Sequence, residues 1–163
     1  MVCCAMLLAL YSSFALALES DADQPITIDS NTATYDDRAA ISTYTGNVIT
    51  VQGSIRVNSD KLVVYFVNGD AEKLVFTGQP ARFKQTPSEG AEDITAKALT
   101  GEYYPKKNLL ILMDEATVWQ GNGTYESKHI EYDSKNSVVR AGDKSSDSKR
   151  VRVQLKPKPK AAK

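Results

Sequence analysis

The chain has 163 residues, with 20 Lys and Arg balanced by 20 Asp and Glu. Its length fits one domain with a sizeable core and excludes several large ones. Cys3 and Cys4 both lie in an apolar head, and His129 is the single histidine. Loss of that head would exclude thiol chemistry and any zinc site with two or more His or Cys ligands. The composition therefore predicts a protein that is not an enzyme and that needs no metal or cofactor.

The head, residues 1–17, is interpreted as a signal peptide. No charged residue precedes Glu19, and the apolar stretch ends in a small-x-small triplet that is typical of signal cleavage. An uncleaved membrane anchor stays open as the alternative. The first 18 residues are uncharged, which reaches the lower end of the range of about 17 to 25 apolar residues that spans a bilayer. Cleavage would release one domain, residues 18–143, into an exported compartment.

The body of the chain is rich in residues that favour strands, and apolar and polar residues alternate along it. The alternating stretches are residues 26–29, 54–58, 81–84 and 128–132. Two denser apolar runs, residues 61–67 and 109–113, are predicted to be strands covered on both sides, and only residues 91–99 weakly favour a helix. Turn signals separate these runs at short intervals. The pattern predicts an all-β sandwich, barrel or jelly roll of antiparallel strands.

Alternation also predicts which side chains share the inner face of this sheet. A strand places successive side chains on opposite faces, so every second residue points the same way. The residues assigned inward on this ground alone are Ile55, Val57, Leu74, Phe76, Ile111, Met113 and Ile130. They would either contact an apolar ligand or simply fill a closed core, as most inward strand residues do.

The C-terminal segment, residues 144–163, is basic and ends in a Lys and Pro repeat, with Asp147 as its single acidic residue. We interpret it as a solvated, mobile tail. The remaining body carries the compensating acidic excess. An acidic body does not suit nucleic acid, which is normally bound by a basic folded face.

Four motifs, in order and behind an export signal, carry a resemblance to a known family. They are DQPITI at residues 23–28, YTGNV at 44–48, VQGSIRVNSDK at 51–61 and GQPARF at 78–83. Over residues 23–141 the chain resembles the periplasmic lipopolysaccharide transport protein A family of Gram-negative bacteria, also called the OstA-like family.

The resemblance implies a single-domain, open, twisted antiparallel β-jelly roll with an apolar trough. Members of the family work in the periplasm and hold the lipid A acyl chains of lipopolysaccharide. They receive it from an LptC-type inner-membrane subunit, pass it to an LptD-type outer-membrane subunit, and stack head to tail as homo-oligomers. The matching motifs imply that Ile26, Ile28 and Phe83 contact the acyl chains. On these grounds we expect that replacing Phe83 or Ile28 by Asp leaves the protein folded but unable to retain acyl chains.

The first motif also predicts an edge strand for partner contact. It comprises Gln24, Pro25, Ile26, Thr27 and Ile28. Pro25 lacks the N–H donor that a central strand would need, so it fits the start of an edge strand. An unpaired edge can accept the edge of a partner by β-augmentation. Two alternatives remain open at this point: a membrane-anchored LptC-like relative and a self-assembling structural β-protein without a ligand.

Overall fold

The computed structural model describes residues 21–88, 90–142 and 150–157. Within these ranges a 3-10 turn, Asp21–Asp23, precedes ten strands, and a second 3-10 turn, Pro105–Lys107, follows the sixth. The strands are β1 Ile26–Asp29, β2 Thr32–Asp36, β3 Ile41–Gln52, β4 Ile55–Val67, β5 Asp70–Gln85, β6 Ile94–Tyr104, β7 Leu109–Gln120, β8 Gly123–Asp133, β9 Val138–Ala141 and β10 Arg152–Leu155. The described residues contain no helix long and apolar enough to cross a membrane.

All ten strands belong to one antiparallel sheet. Its order is β1-β3-β4-β5-β6-β7-β8-β10, with β2 also paired to β3 and β9 also paired to β8. The predicted all-β, open antiparallel architecture is therefore confirmed. The weak helix prediction for residues 91–99 was wrong, because β6 begins at Ile94 and pairs with β5 and β7.

A line of register shifts crosses the middle of the long strands, and we call this line the crease. The shifts lie at Thr45/Val48, Asn58/Lys61, Thr77/Ala81, Lys97/Thr100 and Met113/Ala116. Such irregularities bend a strand and increase its local twist. The crease divides the sheet into two halves. The strand residues of half I are 26–29, 48–52, 55–59, 81–85, 94–98, 116–120, 123–127 and 152–155. Those of half II are 32–36, 41–45, 61–67, 70–77, 100–104, 109–113, 129–133 and 138–141.

The two halves pack face to face. The rings of Phe83 in half I and Tyr132 in half II meet edge to face, with centroids 6.3 Å apart. Their strands, β5 and β8, are separated in the sheet by β6 and β7. Since neighbouring strands lie about 4.8 Å apart, a flat sheet would keep these rings roughly 14 Å from each other. The ring contact therefore shows that the sheet folds over along the crease and encloses an interior between its halves.

One close approach inside half II depends on a glycine. Gly101 on β6 lies opposite Phe76 on β5, and the Phe76 ring covers the glycine, where a Cβ atom would overlap the ring. Phe76 is buried, so its ring has little room to move aside. Any side chain at residue 101 would thus compete with Phe76 for the same volume.

Gly101→Ala is expected to lower the free energy of unfolding by about 1 to 3 kcal/mol, the usual cost of overpacking a core. Adding Phe76→Leu frees space, so the double variant should cost at least about 1 kcal/mol less than the sum of the single changes. Urea unfolding of the four proteins in this cycle measures the coupling. Strictly additive costs would show that the ring does not limit residue 101.

The inward assignment was wrong for two residues. Leu110 and Leu112 belong to the buried core, whereas Ile111 and Met113 are half-buried and alternate with them. Ile111 lies between Glu102 and Glu131 on the neighbouring strands, a polar setting that marks the outer face. Every residue from 109 to 113 is apolar, so alternation cannot decide which set points inward.

Part of the segment predicted as a mobile tail pairs with the sheet. β10, residues 152–155, runs antiparallel to β8, with Val153 opposite Tyr125. Its apolar and polar residues alternate, which was a strand signal hidden within the basic composition. The predicted signal peptide, residues 1–17, and the end of the tail, residues 158–163, lie outside the described residues.

Candidate functional site

The interior between the halves holds most of the residues predicted to face inward. Six of them belong to the buried hydrophobic cluster: Ile55, Val57, Leu74, Phe76, Phe83 and Ile130. Ile26 and Ile28 on β1 are half-buried and pack against the rim of the same cluster. The structure therefore brings eight of the ten predicted residues together and leaves Ile111 and Met113 on the outer face.

Side chains fill most of this interior. A small cavity between the halves has a volume of about 10 Å³, which leaves room for at most one water molecule and none for an acyl chain. Its apolar lining comes from both halves, with Ile55 and Val57 facing Leu62 and Leu74. The apolar trough is thus present as two facing surfaces, closed against each other. Entry of an acyl chain requires the halves to move apart.

A cleft of about 1090 Å³, lined mainly by polar residue types, lies on the side opposite the crease, between the turns of the two halves. We call it the mouth. Half I contributes Ser54 and Thr86, and half II contributes Asn108 and Ser134. The Asn108 carbonyl accepts hydrogen bonds from the backbone N–H and the hydroxyl of Ser134, at 2.8 and 3.1 Å. The turns on the half II side are therefore tied together.

Residues 21–24, which we call the strap, close part of the mouth on the half I side. The Asp21 carboxylate accepts hydrogen bonds from the Ser54 backbone N–H at 2.5 Å, the Ser54 hydroxyl at 2.8 Å and Gln85 Nε2 at 2.7 Å. Gln52 Nε2 donates to the carbonyls of Ala22 and Gln24, at 3.2 and 3.0 Å. One carboxylate and one amide thus fix the strap to the turns of β3, β4 and β5.

Asp21→Ala is expected to lower the free energy of unfolding by about 1 to 3 kcal/mol, because the buried amide of Gln85 would lose its acceptor. It should also speed hydrogen exchange at the Ser54 amide. Urea unfolding and exchange mass spectrometry measure the two effects. Asp23→Ala is the matched control, since Asp23 is exposed in the same turn and should change stability by under about 0.5 kcal/mol. Equal effects of the two changes would contradict the anchoring role of Asp21.

Sequence reasoning missed three polar residues of the interior. Thr50, Gln52 and Tyr103 are buried and line the small cavity. Burial raises the pKa of Tyr103, and it raises the pKa of Tyr132 to about 12, so both phenols stay protonated near neutral pH. Thr50 and Gln52 lie in a stretch with apolar residues in both alternations, so their inward direction could not be read from the pattern.

Both ends of the sheet leave a strand edge exposed. At one end, no strand of the described residues pairs with the outer side of β1. At the other end β10 is exposed throughout, with Val153 and Leu155 at 50% and 70% of their full accessibility. Gln24 and Pro25 precede β1, and Ile26, Thr27 and Ile28 lie within it. The predicted partner strand therefore occupies an edge, as expected, and an opposite edge is available for a second contact.

The described part of the chain brings together no group of three His, Cys, Asp or Glu side chains suited to a metal ion. His129 lies on β8 with its Nε2 3.4 Å from Glu131 Oε1. The two residues are part of a strand face that alternates with the buried Ile130. The described part of the site offers apolar surface and exposed backbone edges.

A folded-over open sheet with an apolar interior and an exposed edge at each end defines a β-jelly-roll module suited to apolar cargo. A family model described as "LptA/(LptD N-terminal domain) LPS transport protein" matches residues 27–138. The chain belongs to this family.

Individual relatives agree with that assignment. The lipopolysaccharide export system protein LptH of Pseudomonas aeruginosa is 35% identical over 159 residues, which cover 94% of this chain and 91% of the relative. LptA of Escherichia coli K12 is 34% identical, with 88% and 77% covered. A crystal structure of LptH, described as the LptA homologous periplasmic component of a conserved lipopolysaccharide transport device, aligns with a TM-score of 0.78. It is 28% identical and covers 85% of this chain and all of that one.

Proposed function

We propose that this protein binds lipopolysaccharide through its acyl chains and transfers it across the periplasm, without catalysing a reaction. The observation that carries the proposal is an apolar interior enclosed by the two halves of one open sheet. Each acyl methylene that leaves water for an apolar environment contributes about 0.8 kcal/mol. Acyl chains therefore provide the dominant driving force for binding in such an interior. The names of the relatives identify the same cargo.

Loading requires the two halves to separate along the crease. The core side chains would then exchange contacts with one another for contacts with acyl chains, so little apolar surface would enter water. Ile26 and Ile28 at the rim would meet the cargo first, and Phe83, Ile55 and Val57 would follow as the interior opens. Leu74, Phe76 and Ile130 would contact it from half II.

Transfer requires continuity between neighbouring modules, because release into water would cost the whole apolar gain. The β1 edge would pair with an LptC-type inner-membrane subunit, and the β10 edge with an LptD-type outer-membrane subunit. Copies of this chain would also stack head to tail by the same contact. Opposite edges that meet form a heterologous interface, which extends into a chain of modules instead of closing.

One observation favours a different function. The volume of the small cavity, about 10 Å³, suits a self-assembling structural β-protein whose interior holds no ligand. The same edges would then serve assembly alone. The LptC-like alternative differs in keeping its N-terminal anchor, so that intact mass distinguishes it from a cleaved periplasmic protein.

The deciding experiment is mass spectrometry of the protein purified without detergent from the periplasm of its own host. We expect an intact mass that lacks residues 1–17, and lipid A in the organic extract. The structural alternative would be favoured if the extract contained no lipid A and the protein also formed no complex with added lipopolysaccharide. A retained N-terminus would favour the anchored relative.

A further inference from the structure

Three buried polar atoms belong to residues that line the small cavity, and none of them has a hydrogen-bond partner within the described protein. They are Thr50 Oγ1, Gln52 Oε1 and Tyr103 Oη. Their residues are 4%, 4% and 3% exposed. The rest of the lining is apolar, including Ile26 and Leu62. Buried polar atoms nearly always have a partner, so three such atoms around one small space indicate that a polar group belongs there.

The strap fixes the direction of one of these atoms. Gln52 uses its Nε2 to donate to the carbonyls of Ala22 and Gln24. Both partners are acceptors, so the amide orientation is determined and the oxygen Oε1 is left without a donor. Thr50 and Tyr103 each carry a hydroxyl, which can donate or accept. Together the three atoms require a group that donates one hydrogen bond and accepts another.

We propose that Thr50, Gln52 and Tyr103 form a binding site for one hydroxyl group, which we call the hydroxyl notch. A water molecule fills it in the unloaded protein, and the hydroxyl of a hydroxylated acyl chain replaces that water on loading. A hydroxyl donates to Gln52 and accepts from Thr50 or Tyr103. An ester carbonyl only accepts, so it would leave Gln52 Oε1 without a partner. The inference rests on the proposed function and adds a chemical preference to it.

The surroundings of the notch select the rest of the ligand. Apart from the three polar residues, the lining is apolar, from Ile26 at the β1 rim to Leu62 and Leu74 of half II. When the halves separate, these side chains would contact only hydrocarbon on either side of the hydroxyl. A free sugar or phosphate would bury further polar groups here without partners. The notch therefore suits an isolated hydroxyl within a hydrocarbon chain.

The test compares two ligands of equal chain length, octadecanoic acid and 12-hydroxyoctadecanoic acid, whose hydroxyl has hydrocarbon on both sides, titrated into the purified protein. A purely apolar interior binds the hydroxylated acid more weakly, because its hydroxyl must leave water. We expect the reverse, with the hydroxylated acid binding about tenfold more tightly. Tyr103→Phe and Thr50→Val, which keep the shape of each side chain, should each reduce this ratio at least threefold. Tyr65→Phe on β4, a tyrosine outside the buried core, should leave the ratio unchanged.

The outcomes separate the two proposals. Binding of both acids with equal or reversed preference would overturn the hydroxyl notch, which would then hold water only, and would leave the carrier function standing. No binding of either acid, together with no lipid A on the purified protein, would overturn both. If Tyr103→Phe proves unfolded by circular dichroism, Thr50→Val decides, and an unchanged ratio in that variant overturns the proposal.

Discussion

Ile28→Asp is expected to leave the sheet folded and to reduce retained lipopolysaccharide by about tenfold or more. Ile28 is half-buried on the edge strand β1, so a carboxylate there can turn toward water and keep its hydration. The same charge at the rim of the interior would face incoming acyl chains and disfavour them. Lipid A per protein, measured by mass spectrometry after purification, and far-ultraviolet circular dichroism test the two parts of this prediction.

Phe83→Asp should behave differently, contrary to what the sequence suggested for both residues. Phe83 is 2% exposed and packs against Tyr132. Losing the ring costs about 3 to 5 kcal/mol, and the buried carboxylate adds to this, in a domain whose total stability is about 5 to 15 kcal/mol. We expect an unfolded or aggregated protein. A folded Phe83→Asp variant would show that the interior admits water.

Arg56→Ala on β4 is the matched control for both variants, since Arg56 is exposed between the buried Ile55 and Val57. It should bind lipopolysaccharide as the unchanged protein does. If Arg56→Ala loses the lipid while Ile28→Asp retains it, the cargo lies on the outer face and the proposed binding surface is wrong.

Blocking either exposed edge is expected to convert the proposed head-to-tail assemblies into single chains. In an antiparallel edge strand successive N–H groups point to opposite sides. One of the two variants Thr27→Pro and Ile28→Pro therefore removes a ladder hydrogen bond to β3, and the other removes a donor that points outward. The variant that loses the ladder bond should be less stable. The variant that loses the outward donor should no longer assemble and should lose less stability. Sedimentation velocity and urea unfolding of both variants measure these effects.

Mixing chains blocked at different ends tests whether the contact is heterologous. Val153→Pro or Gln154→Pro would block the opposite edge, β10, in the same alternating way. Chains blocked at β1 still offer β10, and chains blocked at β10 still offer β1, so an equal mixture should form dimers and nothing larger. Edge-to-edge stacking would be contradicted if either blocked chain alone formed assemblies as large as those of the unchanged protein, or if the mixture formed no dimers.

The success of sequence reasoning depended on polar neighbours along each strand. Ile55 and Val57 alternate with Arg56 and Asn58, so their inward direction was evident and is confirmed. Residues 109–113 are all apolar, and there the prediction chose the wrong one of the two alternating sets, Ile111 and Met113. The polar atoms of the interior were hidden for a related reason. Both alternating sets of residues around Thr50 and Gln52 contain apolar residues, so alternation could not assign these two side chains to either face.

The crease was only partly visible in the sequence. Gly46 and Asn47 adopt positive φ where β3 bends, and such residues are expected at a bend. Asp114 and Glu115 adopt positive φ where β7 bends, with φ of 59° and 53°, and Glu has no preference for that conformation. The alignment of bends on neighbouring strands arises from pairing across the sheet, which a single sequence does not display.

The position of the crease has a consequence for the range of cargo. Because the interruptions of the ladder fall in one row from β3 to β8, a change in the angle between the halves leaves the hairpins of each half paired. We expect the enclosed space to widen by degrees as this angle changes, instead of switching between two sizes. One protein of this design would accommodate lipids that differ in the number and length of their hydrocarbon tails.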